Sequence, residues 1–211
     1  MLSGKEIRIR LSYRRGDPKK WLVITPVLDR SAQLKDHNAS LDLRLGNLFV
    51  VPNRAQLEKL DPRDPSYVSH KRLYMDKVVV PMGRHFVLHP RQFVLGQTLE
   101  WVHLPPDLGA YVIGRSRWGR DGLIIATATG VHPGWSGLLT LELSNVGELP
   151  ILLYPGLRYV QLFLHAIEAP YKGTGGSLSQ FAGTTKPTGQ PHGTEDTNDL
   201  QILSGWSPRP S

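Results

Sequence analysis

Between residues 39 and 168 the chain is cut repeatedly by turn dipeptides, among them Pro105-Pro106, Pro133-Gly134 and Pro155-Gly156. The segments between the cuts alternate apolar and polar residues. A period of two puts successive side chains on opposite faces of a strand, whereas a helix would need a period near 3.6. Leu41-Asp42-Leu43-Arg44-Leu45 is the clearest case, and Gly46-Asn47 then turns into Leu48-Phe49-Val50-Val51. Further strands are expected at 77–80, 93–95, 99–103, 110–113, 123–126, 138–144, 151–153 and 158–166. With 21 glycines and 17 prolines in 211 residues, an all-helical bundle is excluded. Many short strands argue for an all-β chain, closed or folded over as an antiparallel barrel rather than laid out as a parallel sheet. One short helix is expected at 53–60 and a single helical turn at 116–120.

Three zones differ in composition. Residues 1–38 are basic and mixed, 39–168 carry the alternation, and 169–211 are mostly Gly, Pro, Ser, Thr and polar residues. We expect one β domain over 1–168 and a flexible tail over 169–211, in which the apolar stretch 200–206 is a candidate docking element. The chain has no cysteine, which excludes disulfides, thiolate zinc sites, iron–sulfur clusters and cysteine nucleophiles. The first residues hold no apolar signal-peptide core, and no apolar run approaches a bilayer-spanning length. A cytoplasmic protein without a membrane partner is expected. The formal charge of +7 attracts phosphates, part of it in Arg14-Arg15-Gly16-Asp17-Pro18-Lys19-Lys20. Nucleic acid is not the favoured partner, because aromatic residues do not interleave with the basic clusters as stacking platforms would.

Zinc is set aside first. His85 and His89 have helical metal spacing, but Phe86-Val87-Leu88 and Pro90 favour a strand. Four strand residues separate side chains by roughly 13 Å, too far to share one ion. Gly114-Arg115-Ser116-Arg117-Trp118-Gly119-Arg120 is the densest polar segment. Ser116 and Arg120 share a face of one helical turn, and Arg115 and Arg117 point elsewhere, together forming a plausible triphosphate cradle. In Leu138-Leu139-Thr140-Leu141-Glu142-Leu143-Ser144, one face is Leu139, Leu141 and Leu143 and the other is Thr140, Glu142 and Ser144. A carboxylate centred on such a face is a candidate acid/base whose pKa partial desolvation would raise.

These segments stand in the order of a known family. Asn38-Ala39-Ser40-Leu41-Asp42-Leu43-Arg44-Leu45-Gly46 resembles the "PASLDLRLG" segment of the dCTP deaminase family, and 93–100 resembles its "FVLGxTxE". Residues 114–123 are similar to "GRSSLxRxGL", 128–142 to "AHxIDPGWxGxIxLE", and 145–162 to its closing strands. The resemblance, over roughly 36–166, implies a jelly-roll-like β-barrel of the dUTPase-like β-clip type. It also implies a homotrimer with active sites at subunit interfaces. The implied reaction is zinc-independent deamination of a pyrimidine deoxynucleoside triphosphate, dCTP and water giving dUTP and ammonia, with Mg2+ bound through the triphosphate. Glu142 is then the general base, Ser116 and Arg120 position the water, and Arg115 holds phosphate. Arg117, Thr129, His132, Trp135 and Gln161 complete the expected substrate contacts. The segment 180–188 is similar to the family's "RYQGQRGPT" lid, with Phe181 on the base or sugar and Gln180 or Lys186 on phosphate. If the chain trimerises, the apolar face of Leu139, Leu141 and Leu143 and the closing strands are the expected contact.

The sequence departs from the family at His132, where the pattern has aspartate, at Thr129, where it has histidine, and at Arg117, where it has serine. Superfamily members that hydrolyse dUTP to dUMP rely on that aspartate, so pyrophosphatase activity is the lesser expectation. A non-catalytic sensor of deoxynucleotide pools with the same fold is the alternative.

Overall fold

The computed structural model describes residues 1–27, 30–53, 61, 75–127 and 129–168. Among them are twelve strands, all paired antiparallel, and three short α-helices. The chain opens with α1, Gly4–Ser12. Ser3 and Glu6 close a reciprocal capping box at its start, which satisfies two of the N–H groups that a helix N-terminus leaves unpaired. Ile7 and Leu11 bury its inner face. Gly4 has no substitute: a Cβ there would lie 2.0 Å from the Lys35 carbonyl oxygen.

Strands β1 (Val23–Thr25), β3 (Leu48–Pro52), β4 (Met75–Val79), β6 (Phe93–His103), β8 (Leu123–Ile125) and β10 (Ser136–Asn145) form a six-stranded sheet in the order β4-β3-β6-β10-β8, with β1 also on β6. Strands β2 (Leu41–Arg44), β7 (Leu108–Gly114), β9 (Gly130–Val131) and β12 (Arg158–Ala166) form a second in the order β2-β12-β7-β9. The small pair is β5 (Phe86–Leu88) with β11 (Ile151–Leu153). These pairings trace three open sheets and no closed ring among the described residues. Helices α2 (Arg30–Gln33) and α3 (Ser116–Arg120) are single turns.

One apolar core lies between the two larger sheets. Leu41, Leu43, Val112, Val160, Leu162 and Leu164 come from one, and Phe49, Val94, Val102, Leu139, Leu141 and Leu143 from the other. Leu139, Leu141 and Leu143 are therefore spent inside their own chain at 4%, 0% and 0% exposure. The expectation that they form a contact between copies is wrong, because burial within one chain leaves no surface to share.

Two polar residues on β2 are buried as well. Arg44 donates from Nε to Glu100 Oε1 at 2.6 Å and from its backbone N–H to Glu100 Oε2 at 2.8 Å, while Gln33 Nε2 donates to Oε1 at 2.9 Å. Glu100 is 0% exposed, and its burial is tolerated because both of its carboxylate oxygens accept hydrogen bonds, one of them from the Arg44 guanidinium. The expected strands 93–95 and 99–103 are one, β6, running through Gly96-Gln97-Thr98. Gly96 leaves room there for the Leu143 and Leu45 side chains, which would lie 3.1 and 3.2 Å from a Cβ. The helical turn at 116–120 forms as expected; 54–60 lie outside the described residues.

Candidate functional site

The β7–β12 ladder ends at Gly114 opposite Val160, and Arg115 extends it by donating its N–H to the Tyr159 carbonyl at 2.9 Å. α3 then turns away. Its anchor is Trp118, whose ring stacks on Tyr159 at 4.4 Å between centroids and whose indole N–H donates to the Arg158 carbonyl at 2.9 Å. A five-residue helix cannot hold itself in water, so this anchor fixes Ser116 and Arg120. The turn closes at Gly122, with φ +89° and the backbone of Gly147 2.8 Å from where a Cβ would be. Ser116, Arg117 and Arg120 are exposed, and their side chains have no partner among the described residues.

From Gly122 the chain enters β8, which pairs with β10 through Leu143–Ile125, Ser144–Ile124 and Asn145–Leu123. Beyond this ladder the Ala126 N–H donates to the Glu142 carbonyl at 2.9 Å, and the Glu142 N–H donates to Thr127 Oγ1 at 3.1 Å. The backbone of Glu142 is thus fixed on both sides. Along β10 buried and half-buried residues alternate strictly, with Glu142 on the half-buried face beside Thr140 and Ser144. Its carboxylate has no hydrogen-bond or ion-pair partner among the described residues, and burial holds its pKa above the ordinary carboxylate value. A half-desolvated, unpaired carboxylate is poised to exchange a proton. α3 packs on β8, and β8 leads directly to Glu142, so one short strand connects the two expected halves of the catalytic set. No hydrogen bond joins Glu142 to Ser116 or Arg120 within the chain.

The structure brings Arg115 and Gln161 together elsewhere. Gln161 Nε2 donates to Asp42 Oδ1 at 3.1 Å and to Ser40 Oγ at 3.3 Å, while Arg115 and Arg158 guanidinium nitrogens lie 3.3 and 3.6 Å from Asp42 Oδ2. Two cations on one carboxylate leave a net positive patch, with an amide and a hydroxyl beside it. Asp42, Arg158 and Ser40 escaped the sequence reading, in which Asp42 was simply the polar partner in an alternating strand. The cue was available: an aspartate on one strand of a chain rich in arginine needs a cation if it is to be buried.

Thr129 and His132 are exposed on either side of β9, with no side-chain partner among the described residues. Trp135 packs half-buried against the core, its backbone N–H donating to the His132 carbonyl at 3.2 Å and its indole N–H to the Gly137 carbonyl at 3.4 Å. Gln180, Phe181 and Lys186 lie outside the described residues. Among the described residues no three His, Asp or Glu side chains converge as a metal site would require, and no helix is long and apolar enough to cross a membrane.

A family model described as dCTP deaminase-like matches residues 1–167. The dCTP deaminase of Natronomonas pharaonis is 41% identical over 190 residues, covering 89% of this chain and 92% of its own. The dUMP-forming dCTP deaminase of Dictyoglomus turgidum is 39% identical over 196 residues, covering 88% and 92%. Among solved structures, the 2'-deoxycytidine 5'-triphosphate deaminase from Agrobacterium tumefaciens is similar with a TM-score of 0.56 at 25% identity. That match covers 77% of this chain and 45% of the solved one, so this chain spans less than half of that protein's length.

Proposed function

The chain belongs to the dCTP deaminase-like family, and from that premise we propose that it deaminates a pyrimidine deoxynucleoside triphosphate, converting dCTP and water to dUTP and ammonia. The observation that carries this reading is Glu142: an unpaired carboxylate, half-buried, with a raised pKa, on a strand whose backbone is pinned on both sides.

In this mechanism Glu142 takes a proton from water as its oxygen attacks C4 of the base. It then returns the proton to the departing amine, so that ammonia leaves, while the second proton of the water passes to N3 and the C4 oxygen remains as the carbonyl of uracil. A raised pKa suits both halves of that transfer. Ser116 and Arg120 orient the water and stabilise charge on the reacting centre. Arg115, Arg117 and Gln161 meet the phosphates, which carry their magnesium with them as part of the substrate. Thr129, His132 and Trp135 face base and sugar, and Phe181 and Lys186 close over the nucleotide. Among the described residues of one chain Ser116, Arg120 and Glu142 have no side-chain partners, which supports a site completed by a neighbouring copy in a homotrimer. Exposed Tyr111 and Ile113 on β7 offer apolar area for that contact in place of the buried leucines. A cytoplasmic location suits a reaction on free nucleotide pools.

Relatives at nearly equal identity carry the dUMP-forming name, so release of dUMP is the second reading. His132 weighs against it: an imidazole stands where the superfamily's pyrophosphatases use a carboxylate on the attacking water. The non-catalytic sensor is the third. Glu142→Gln separates catalysis from binding, because the amide keeps the shape and cannot take water's proton. Turnover should fall by on the order of a hundredfold or more, with nucleotide affinity nearly unchanged. Full turnover in that variant removes Glu142 from the mechanism.

A further inference from the structure

Away from this site, the outer face of α1 and the loop after it frame an open groove of about 560 Å³, lined by Ile9, Arg10, Tyr13, Lys20, Pro106 and Asp107. Its apolar part is made by Ile9 on α1, Tyr13 just past the helix end, and Pro106. Ile7 and Leu11 point into the core, yet Ile9 and Tyr13 are left 59% and 50% exposed. Its rim is basic. Arg10 is already paired with Asp107, but Lys20 has no carboxylate partner among the described residues. Arg15 and Lys19 in the same loop are exposed and likewise without one. Exposed apolar side chains beside uncompensated cations suit a peptide that is acidic along one part and apolar along the next.

This chain carries such a peptide near its end. Glu195-Asp196-Thr197-Asn198-Asp199 supplies three acids, and Leu200-Gln201-Ile202-Leu203-Ser204-Gly205-Trp206 follows with the apolar side chains. The described chain also ends beside the groove. Ala166 pairs with Leu108, and the Ile167 N–H donates to the carbonyl of Asp107, a groove residue, at 3.0 Å. Residues 169–194 span up to about 90 Å when extended, so reach does not limit the return. We propose that residues 195–206 dock in this groove of their own chain. The three acids meet Lys20, Lys19 and Arg15, and Leu200, Ile202 and Trp206 cover Ile9, Tyr13 and Pro106. The docking itself does not depend on the deaminase reading.

The absence of native cysteine makes the test clean. In the full chain, Ile9→Cys is combined with Ile202→Cys, and Tyr13→Cys with Leu203→Cys. Val79→Cys, on an exposed position of β4, with Ile202→Cys is the control. All three are oxidised in a glutathione buffer and resolved by intact mass after alkylation. The groove pairs should form an intramolecular disulfide at least about tenfold faster than the control, and Lys20→Glu with Lys19→Glu and Arg15→Glu should remove most of that advantage. The proposal is overturned if neither groove pair exceeds the control, or if only disulfide-linked pairs of chains form.

Discussion

Trp118 touches no expected reacting group, yet the structure makes it the support for Ser116 and Arg120. Full truncation of a buried tryptophan costs about 3–5 kcal/mol. Trp118 is half-buried, so about 2 kcal/mol is the share due to packing, and its indole hydrogen bond to Arg158 adds about 1 kcal/mol. Trp118→Ala should therefore destabilise the fold by about 3 kcal/mol. Trp118→Phe, which keeps the stack on Tyr159, should cost only about 1 kcal/mol. Displacing a catalytic group by an ångström typically costs about a hundredfold in rate. We expect kcat for dCTP to drop between about tenfold and a hundredfold in Trp118→Ala, with KM less affected, and Trp118→Phe to restore most of it. Urea unfolding gives the stability and steady-state kinetics on the folded fraction gives the rate. A Trp118→Ala protein that loses the expected stability and still turns over dCTP at the wild-type rate would refute the anchoring argument.

Glu100→Ala leaves the Arg44 guanidinium buried without its carboxylate, and should cost about 3–5 kcal/mol in urea unfolding. The apolar double variant Arg44→Met with Glu100→Leu should lie much nearer to wild type. Because burial raises the folded pKa of Glu142, its ionised form costs stability. That cost is absent below the unfolded pKa and complete above the folded one. Glu142→Gln should therefore be more stable than wild type at neutral pH, and the advantage should fade as pH falls through that window, followed by urea melts across the range. His132→Ala should raise KM and alter the deoxy-to-ribo preference, and His132→Asp should admit some release of dUMP. Identical product profiles for wild type and both variants would make His132 structural.

Much of this architecture is legible in the alternation. Residues 138–144 lie in β10 with the leucines inward and Glu142 on the other face, because a strand between two sheets needs one apolar face. What alternation cannot say is which surface covers that face, and Leu139, Leu141 and Leu143 proved to be covered by their own chain. It fails again at β2, where Asp42 and Arg44 look outward-facing but are 7% and 6% exposed. Their partners, Arg115, Arg158 and Glu100, come from distant parts of the chain, and pairing across such separations leaves no local mark. α1 had a readable start, Ser3 and Glu6 in capping-box spacing, but Ile7 and Leu11 alone make too faint an apolar stripe among basic residues. The ends of the proposed catalytic set were readable as residue types, Ser116 and Arg120 on one turn and Glu142 on a strand. That β8 joins them is visible only in the fold.

The most direct measurement is incubation of the intact chain with dCTP and magnesium, with nucleotides resolved by chromatography and ammonia determined in parallel. Every other deoxynucleoside and ribonucleoside triphosphate runs beside it. The account predicts loss of dCTP with equal amounts of dUTP and ammonia, and no comparable turnover of the purine nucleotides. Saturable binding of dCTP with neither uracil nucleotide nor ammonia formed would contradict it.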